Sequence, residues 1–190
     1  MENGVRQREE AAVVPDLADG EVILTRYTDA DVPAHLAGED EETARRFGWW
    51  PRTSTEATVQ DTFAGWAGNW KTSGPIRAFA VREQATGRLL GGCELRLQPS
   101  GSGHVAYWTS AGGRGHGHAT RGLILLLSYA HSIGVDEIEA HIAPDNHASC
   151  RVAEKAGLRR SGPFTAADGA TMIRYRIVLA GAGRDSAKPS

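Results

Sequence analysis

Residues 104–158 read HVAYWTSAGGRGHGHATRGLILLLSYAHSIGVDEIEAHIAPDNHASCRVAEKAGL, and this stretch decides the fold. Residues 105–109 are a strand-like run, followed by a glycine-rich loop over residues 111–118. A helix is predicted from Ala119 to about Ile133, because Leu123, Leu126, Leu127 and Ala130 recur at i, i+3, i+4 and i+7. A second strand is predicted over residues 137–142, where Ile138, Ala140 and Ile142 alternate with Glu137, Glu139 and His141. The unit is therefore strand, loop, helix, strand, with glycines at the helix entrance. The first amides of a helix have no intrahelical acceptor, and the helix dipole is positive at that end. A glycine loop in this position suits a phosphate or pyrophosphate.

Spacing separates the motifs that place glycines before a helix. A P-loop would end in Gly-Lys-Ser/Thr, but this loop ends Gly117-His118-Ala119-Thr120. A dinucleotide fingerprint needs G-x-G-x-x-G and an acidic residue ending the next strand. Here Gly115-His116-Gly117 is followed by Thr120, and the next strand ends Ile142-Ala143-Pro144. Arg114-Gly115-His116-Gly117-His118-Ala119 instead resembles the acetyl-CoA loop of the GNAT superfamily of N-acetyltransferases, Q/R-x-x-G-x-G/A. Arg114, Gly117 and Ala119 fill its defining places. Tyr107-Trp108 resembles the "GYW" strand of the RimJ/RimL-like branch, with Ala106 in place of Gly. Asp145-Asn146-His147-Ala148-Ser149 and Val152-Ala153-Glu154-Lys155-Ala156-Gly157-Leu158 resemble that branch's "DPDNxAS…VAEKxGF" segment, with Leu158 in place of Phe. The detailed resemblance covers residues 89–162, and a looser one about 20–179.

The resemblance implies an α/β GNAT fold with a mixed, mostly antiparallel central sheet flanked by helices. It implies acetyl transfer from acetyl-CoA to a primary amine, by direct attack of the neutral amine on the thioester. Strand and loop amides would stabilise the oxyanion. The loop residues Arg114, Gly115, His116, Gly117, His118, Ala119 and Thr120 would hold the CoA pyrophosphate by backbone amides, with His116 and His118 adding side-chain contacts. A metal role for the two histidines lacks an acidic or cysteine partner at matching spacing. Thr109 and Ser110 end the strand that, in the family, splays from its neighbour and bonds the pantetheine. Asn146 and Ser149 stand where RimL-like enzymes contact the pantetheine arm and the thiol, and the Ser149 hydroxyl near the sulfur would protonate or hydrogen-bond the leaving thiolate. The competing roles are helix capping for Asn146 and a surface hydroxyl for Ser149.

An amine must be neutral to attack, and a Lys-like amine has a pKa of about 10.4, so a base or water chain takes its proton. Glu94, mid-strand and opposite in facing to Cys93 and Leu95, is the candidate base; pairing with Arg96 is the alternative. Tyr107 is a weaker candidate, with a place in the core as its other reading. Trp49, Trp50 and Arg52 lie in the loop that lines the acceptor site in related enzymes. Exposed aromatics there would suit an apolar or cationic acceptor. Glu39, Asp40, Glu41 and Glu42 form a nearby acidic run, which suits either a cationic amine or plain solvation.

The whole chain of 190 residues is long enough for one domain with a sizeable core. Its net charge of −2 gives no general attraction to nucleic acid or to an anionic membrane. No run approaches the ~18 apolar residues of a membrane helix, and the first residues lack a signal-like apolar core. Cys93 and Cys150 have no metal-type spacing and read as reduced thiols of a cytoplasmic protein. Domain limits are expected at residues 1–19 for a flexible N-terminal arm, 20–179 for the acetyltransferase domain, and 180–190 for a flexible tail. Before the decisive stretch, residues 21–27 read as a strand. A helix starts near Thr28 and runs to about Ala37, followed by a loop over residues 38–51. Thr53-Ser54-Thr55-Glu56 has a capping-box pattern. Val59, Phe63, Trp66 and Trp70 then mark one helix face. Strands are expected over residues 77–83, 89–97, 158–164 and 171–179, with Asn146 capping a helix that ends at Gly157.

Two acceptor classes are compatible with the resemblance, a small-molecule amine (antibiotic, polyamine or amino acid type) and a protein N-terminus. A domain that binds acyl-CoA without turnover is the alternative of another class. A homodimer is compatible with the early helices and the sheet.

Overall fold

The structure, a computed structural model, describes residues 14–179. The strands are β1 (Leu17–Ala18), β2 (Val22–Thr25), β3 (Ile76–Glu83), β4 (Leu89–Leu97), β5 (Gly103–Thr109), β6 (Glu137–Ile142), β7 (Arg159–Thr165) and β8 (Thr171–Val178). The helices are α1 (Val32–Gly38), α2 (Glu41–Arg46), α3 (Glu56–Lys71), α4 (His118–Ser132) and α5 (His147–Lys155). The strands form one sheet in the order β1-β2-β3-β4-β5-β6-β8-β7. Every pairing is antiparallel except β5 with β6, which is parallel. A parallel pair needs a crossover, and α4 supplies it. The expected α/β architecture is therefore present.

Alternation along β4 divides the sheet into two faces. Cys93 and Leu95 are buried on one, where the Cys93 thiol lies 3.9 Å from the Gly122 carbonyl of α4. Leu123, Leu126 and Ala130 of α4 are fully buried against Val22, Leu24, Phe79, Leu90 and Ile138. Each such leucine contributes roughly 1.5–3 kcal/mol by leaving water. Glu94 points to the opposite face, where α1 and α3 pack. Val59 and Phe63 of α3 close a second, smaller cluster with Val32 of α1. Asp31, just before α1, receives both terminal nitrogens of Arg82 from β3 at 2.7 and 2.6 Å and so ties that helix layer to the sheet.

Several expectations shift. The arm does not extend to residue 19: Leu17 and Ala18 pair with Leu24 and Ile23. The rest of the expected arm, residues 1–13, and the tail, 180–190, lie outside the described residues. Residues 38–51 are not all loop, because α2 forms within them. Asp40 caps α2 by accepting from the Thr43 amide at 2.9 Å, and Glu41–Arg45 and Glu42–Arg46 form i,i+4 ion pairs along it. The cap of α3 is Thr55 rather than Thr53, with Thr58 as its reciprocal partner. Cys93 and Cys150 are both free thiols. No helix among the described residues is long and apolar enough to cross a membrane.

Candidate active site

The parallel ladder between β5 and β6 is short. It holds at Gly103–Ile138 and His104–Glu139 and goes no further. Beyond it the β6-facing edge of residues 105–109 carries no strand pairing, so a wedge opens toward Thr109 and Ser110. An extended amide-bearing arm can take hydrogen bonds from such an edge, as an added strand would.

The glycine loop stands at the mouth of this wedge. The first amide bonded within α4 is that of Arg121, to the Gly117 carbonyl at 3.1 Å. The amides of His118, Ala119 and Thr120 therefore precede the helix ladder and face outward. Gly115 and Gly117 both adopt φ +83°, a left-handed conformation that suits glycine. A Cβ at Gly117 would meet nothing of the protein within 4 Å, so open space lies beside the helix entrance. Free amides, the positive end of a 15-residue helix and open space together fit a pyrophosphate. His116 and His118 stack with centroids 5.6 Å apart, and His118 Nδ1 lies 3.3 Å from the Gly113 carbonyl.

Asn146 and Ser149 flank the other side of the wedge. Asn146 Oδ1 accepts from the Ser149 amide at 3.1 Å, so Asn146 caps α5 as one of its two readings required. Ser149 is not a free surface hydroxyl. Its Oγ donates to the Tyr107 hydroxyl at 2.9 Å, and the Tyr107 hydroxyl donates to the Ser149 carbonyl at 2.9 Å. Burial pushes the Tyr107 phenol up to about 12, with the Ser149 bond opposing. Tyr107 thus keeps its proton at neutral pH.

Glu94 lines a cavity of about 350 Å³ between the sheet, α1, α3 and the segment after α2. Trp66 Nε1 donates to Glu94 Oε2 at 3.2 Å, and Arg96 Nη2 to Glu94 Oε1 at 2.9 Å. Glu94 thus pairs with Arg96 and also borders the cavity. Tyr107 lines the same cavity, which places it between the acceptor side and the wedge. Trp49 lines it too, but Trp50 and Arg52 do not. The Arg45 guanidinium sits 4.7 Å over the exposed Trp50 ring, while Arg52 is exposed and engaged only by its backbone, to the Trp49 carbonyl at 2.9 Å. These two residues turn outward because α2 turns the chain before them.

Sequence reasoning missed His35, Tyr27, Thr43, Phe47 and Trp108 as cavity residues; of the acidic run it named, Glu39 lines the cavity. His35 Nε2 lies 3.0 Å from Glu39 Oε1. Burial raises the Glu39 carboxyl, but hydrogen bonds with His35 and Ser54 outweigh it and hold the group below its ordinary value. The i,i+4 spacing of His35 and Glu39 was readable; its facing was not.

Helix α2 bridges both lips of the wedge. Arg114 donates to Asp40 at 2.6 and 2.8 Å and to Thr43 Oγ1 at 3.0 Å. Arg46 Nη1 donates to both Asp145 oxygens at 2.8 Å. The Arg114 side chain is thus turned toward α2, and its contribution to the loop is its backbone.

Residues 21–159 match the sequence profile described as an acetyltransferase (GNAT) domain. No curated protein sequence matches the chain. Among solved structures, RimL, the ribosomal L7/L12 alpha-N-protein acetyltransferase in complex with coenzyme A, superposes with a TM-score of 0.76 at 15% identity, covering 87% of this chain and 98% of its own. Mycobacterium smegmatis RimJ, in complex with a CoA disulfide, superposes with a TM-score of 0.70 at 20% identity, covering 87% and 86%. The microcin C7 self-immunity acetyltransferase MccE, in complex with acetyl-CoA and AMP, gives 0.71 at 13% identity, covering 90% and 100%. At these identities the likeness is one of fold.

Proposed function

Because the chain belongs to the GNAT family of acetyltransferases and uses acetyl-CoA as co-substrate, we propose that its acceptor is the primary amine of a small molecule. The observation that carries this reading is the cavity of about 350 Å³ that Glu94 and Tyr107 share. Its walls come from the sheet and from three helical segments, which suits a compact ligand rather than a polypeptide lying in a groove.

Acetyl-CoA supplies the acetyl group as an activated thioester. The amides of His118, Ala119 and Thr120 receive its diphosphate, and the unpaired edge of β5 receives its amide-bearing arm. Over the whole reaction an ammonium loses two protons as the C–N bond forms and the C–S bond breaks. Glu94, oriented by Trp66 and Arg96, accepts one proton, directly or through a water, and passes it to solvent. Tyr107 delivers a proton at the sulfur, Ser149 Oγ, at 2.9 Å, supports the phenolate that this leaves, and the second proton shed by the nitrogen returns through water to that phenolate. Asn146 acts by fixing the first turn of α5, which carries Ser149.

A second reading, a protein N-terminus, is favoured by a different observation. Beside the cavity, the face of β6 and β8 presents Glu139, Arg174 and Arg176, with the two arginine side chains 40% and 44% exposed. A peptide chain leaving the cavity would meet polar groups there. RimL, by its description, acts on a ribosomal protein, whereas MccE, by its description, serves self-immunity to microcin C7. Acetylation of a panel of small amines beside N-terminal peptides, with free CoA as readout, decides between them. Turnover of peptides alone would reject the small-molecule reading, and no CoA release with any acceptor would favour a binding domain.

A further inference from the structure

The acceptor cavity has walls richer in rings than proton transfer requires. Tyr27, Phe47, Trp49, Trp66 and Trp108 reach it from four segments of the chain. Phe47 and Trp49 stack with centroids 5.2 Å apart and planes 20° apart. Tyr27 and Trp66 lie 4.8 Å apart at 32°, and Trp108 Nε1 donates to the Tyr27 hydroxyl at 3.4 Å. Rings already held against one another lose little freedom when a further ring joins them.

Charge in the cavity is scarce by comparison. Its carboxylates are Glu39 and Glu94, and each is engaged, Glu39 by His35 at 3.0 Å and Glu94 by Arg96 at 2.9 Å. One ammonium beside Glu94 is accommodated. A second would leave water without an uncommitted carboxylate to meet it, which is unfavourable. Size gives a third limit. A cavity of about 350 Å³ is near the lower end of the roughly 300–1,000 Å³ of small-molecule sites. That admits one ring system with a short chain and excludes a multi-ring amino sugar.

We propose that the acceptor is a primary monoamine carried on a single aromatic ring system, of the arylalkylamine type. This rests on the small-molecule reading above. The ring enters among Trp49, Trp66 and Trp108, and the short alkyl link brings the nitrogen to Glu94, beside Tyr107.

The test uses the whole chain, acetyl-CoA and release of free CoA. The acceptors are tryptamine, 2-phenylethylamine, hexylamine, spermidine and a short peptide with a free N-terminal serine. The expected result is kcat/KM for the two arylalkylamines ~10-fold or more above the other three, a discrimination within reach of a shaped pocket. Hexylamine or spermidine at parity would overturn the aromatic assignment and leave the small-molecule reading standing. A preferred peptide, or no turnover with any of the five, would overturn both. Phe47→Ala and Trp49→Leu provide a second measurement, and Phe47 is exposed enough for its variant to fold. In each, the ratio of kcat/KM for tryptamine to that for hexylamine should fall ~5- to 10-fold. An unchanged ratio in both folded variants would also overturn the assignment.

Discussion

The hydroxyls of Tyr107 and Ser149 are locked together: Ser149 Oγ donates to the Tyr107 oxygen at 2.9 Å, and that phenol donates back to the Ser149 carbonyl at 2.9 Å. The pair joins β5 to the first turn of α5 across the wedge. With its phenol pushed up to about 12, chiefly by burial, Tyr107 is a reservoir of one proton at any physiological pH.

Tyr107→Phe should therefore lower kcat ~10- to 100-fold, the lower part of the range for a positioned acid because water can substitute. Ser149→Ala should cost less, since Tyr107 keeps its carbonyl acceptor. Acetyl-CoA affinity should change by no more than about fivefold in either variant, as one hydroxyl contributes about 1 kcal/mol. Steady-state kinetics and calorimetric titration check this. A larger loss for Ser149→Ala than for Tyr107→Phe would make Ser149 the donor and reduce Tyr107 to its support.

Glu94 is tested by pH. If it accepts the amine proton, Glu94→Gln should lower kcat at pH 7 by ~100-fold or more, and the defect should shrink as pH approaches the ordinary amine pKa of about 10.4. A defect that stays constant across that range would leave Glu94 as an anchor for Trp66 and Arg96 and remove it as base. Tyr107 cannot account for a limb in the profile below about pH 10, because its own titration lies near 12.

The decisive stretch was readable because its period and its glycines obey local rules. The α4 heptad-like spacing of Leu123, Leu126, Leu127 and Ala130 and the alternation of β6 match the structure within one residue of the helix ends. The cofactor side follows from the same local logic, since helix-entrance amides need no distant partner. The acceptor side was only partly legible. Trp49 and Glu94 do line the cavity, but whether a tryptophan faces a cavity or solvent depends on α2, whose six residues carry no apolar period. Polar capping by Asp40 and paired side chains fix that helix, and a hydrophobic pattern cannot show them. His35 and the tie of Tyr107 to Ser149 were hidden for a related reason: the partners, Trp108 for one and Ser149 for the other, are 73 and 42 positions away in sequence.

Gly117 separates cofactor binding from folding. At φ +83° an alanine is strained by about 1–2 kcal/mol. With nothing of the protein within 4 Å of the added Cβ, strain is the whole intrinsic cost. Gly117→Ala should thus lower Tm by a few degrees and weaken acetyl-CoA binding by more than that strain explains, ~10-fold or greater, because the amides of residues 118–120 lose their aim. Urea unfolding and acetyl-CoA titration on the same preparation give both numbers. Unchanged affinity in a strained but folded variant would remove this loop from the cofactor site.

Asp40 offers the last test, because it links the cofactor loop to the acceptor wall. Its hydrogen bonds with Arg114, helped by those from Thr43, hold the carboxyl well below the ordinary range against the opposing effect of burial. Asp40→Asn is the informative change, since asparagine caps a helix as well as aspartate does and leaves the Thr43 amide satisfied. Only the ion pair to Arg114 is lost. That pair is partly exposed, with side chains 41% and 33% accessible, so screening limits its contribution to roughly 0.2–1 kcal/mol. A depressed folded pKa means that the contribution is fully present above the unfolded value of about 3.9 and disappears as pH falls through the folded value. The Tm difference between the native chain and Asp40→Asn should therefore be small, level from pH 7 to about 5, and shrinking below about pH 4. It should also shrink in about 1 M salt. Kinetics should respond more than stability does. Releasing α2 from Arg114 loosens Thr43, Phe47 and Trp49 together, so the KM for the acceptor should rise ~3- to 10-fold while kcat changes little, as befits lost binding of ground and transition states alike. A stability difference that grows on acidification, or an acceptor KM equal to that of the native chain, would show that Asp40 and Arg114 do not hold the acceptor wall in place.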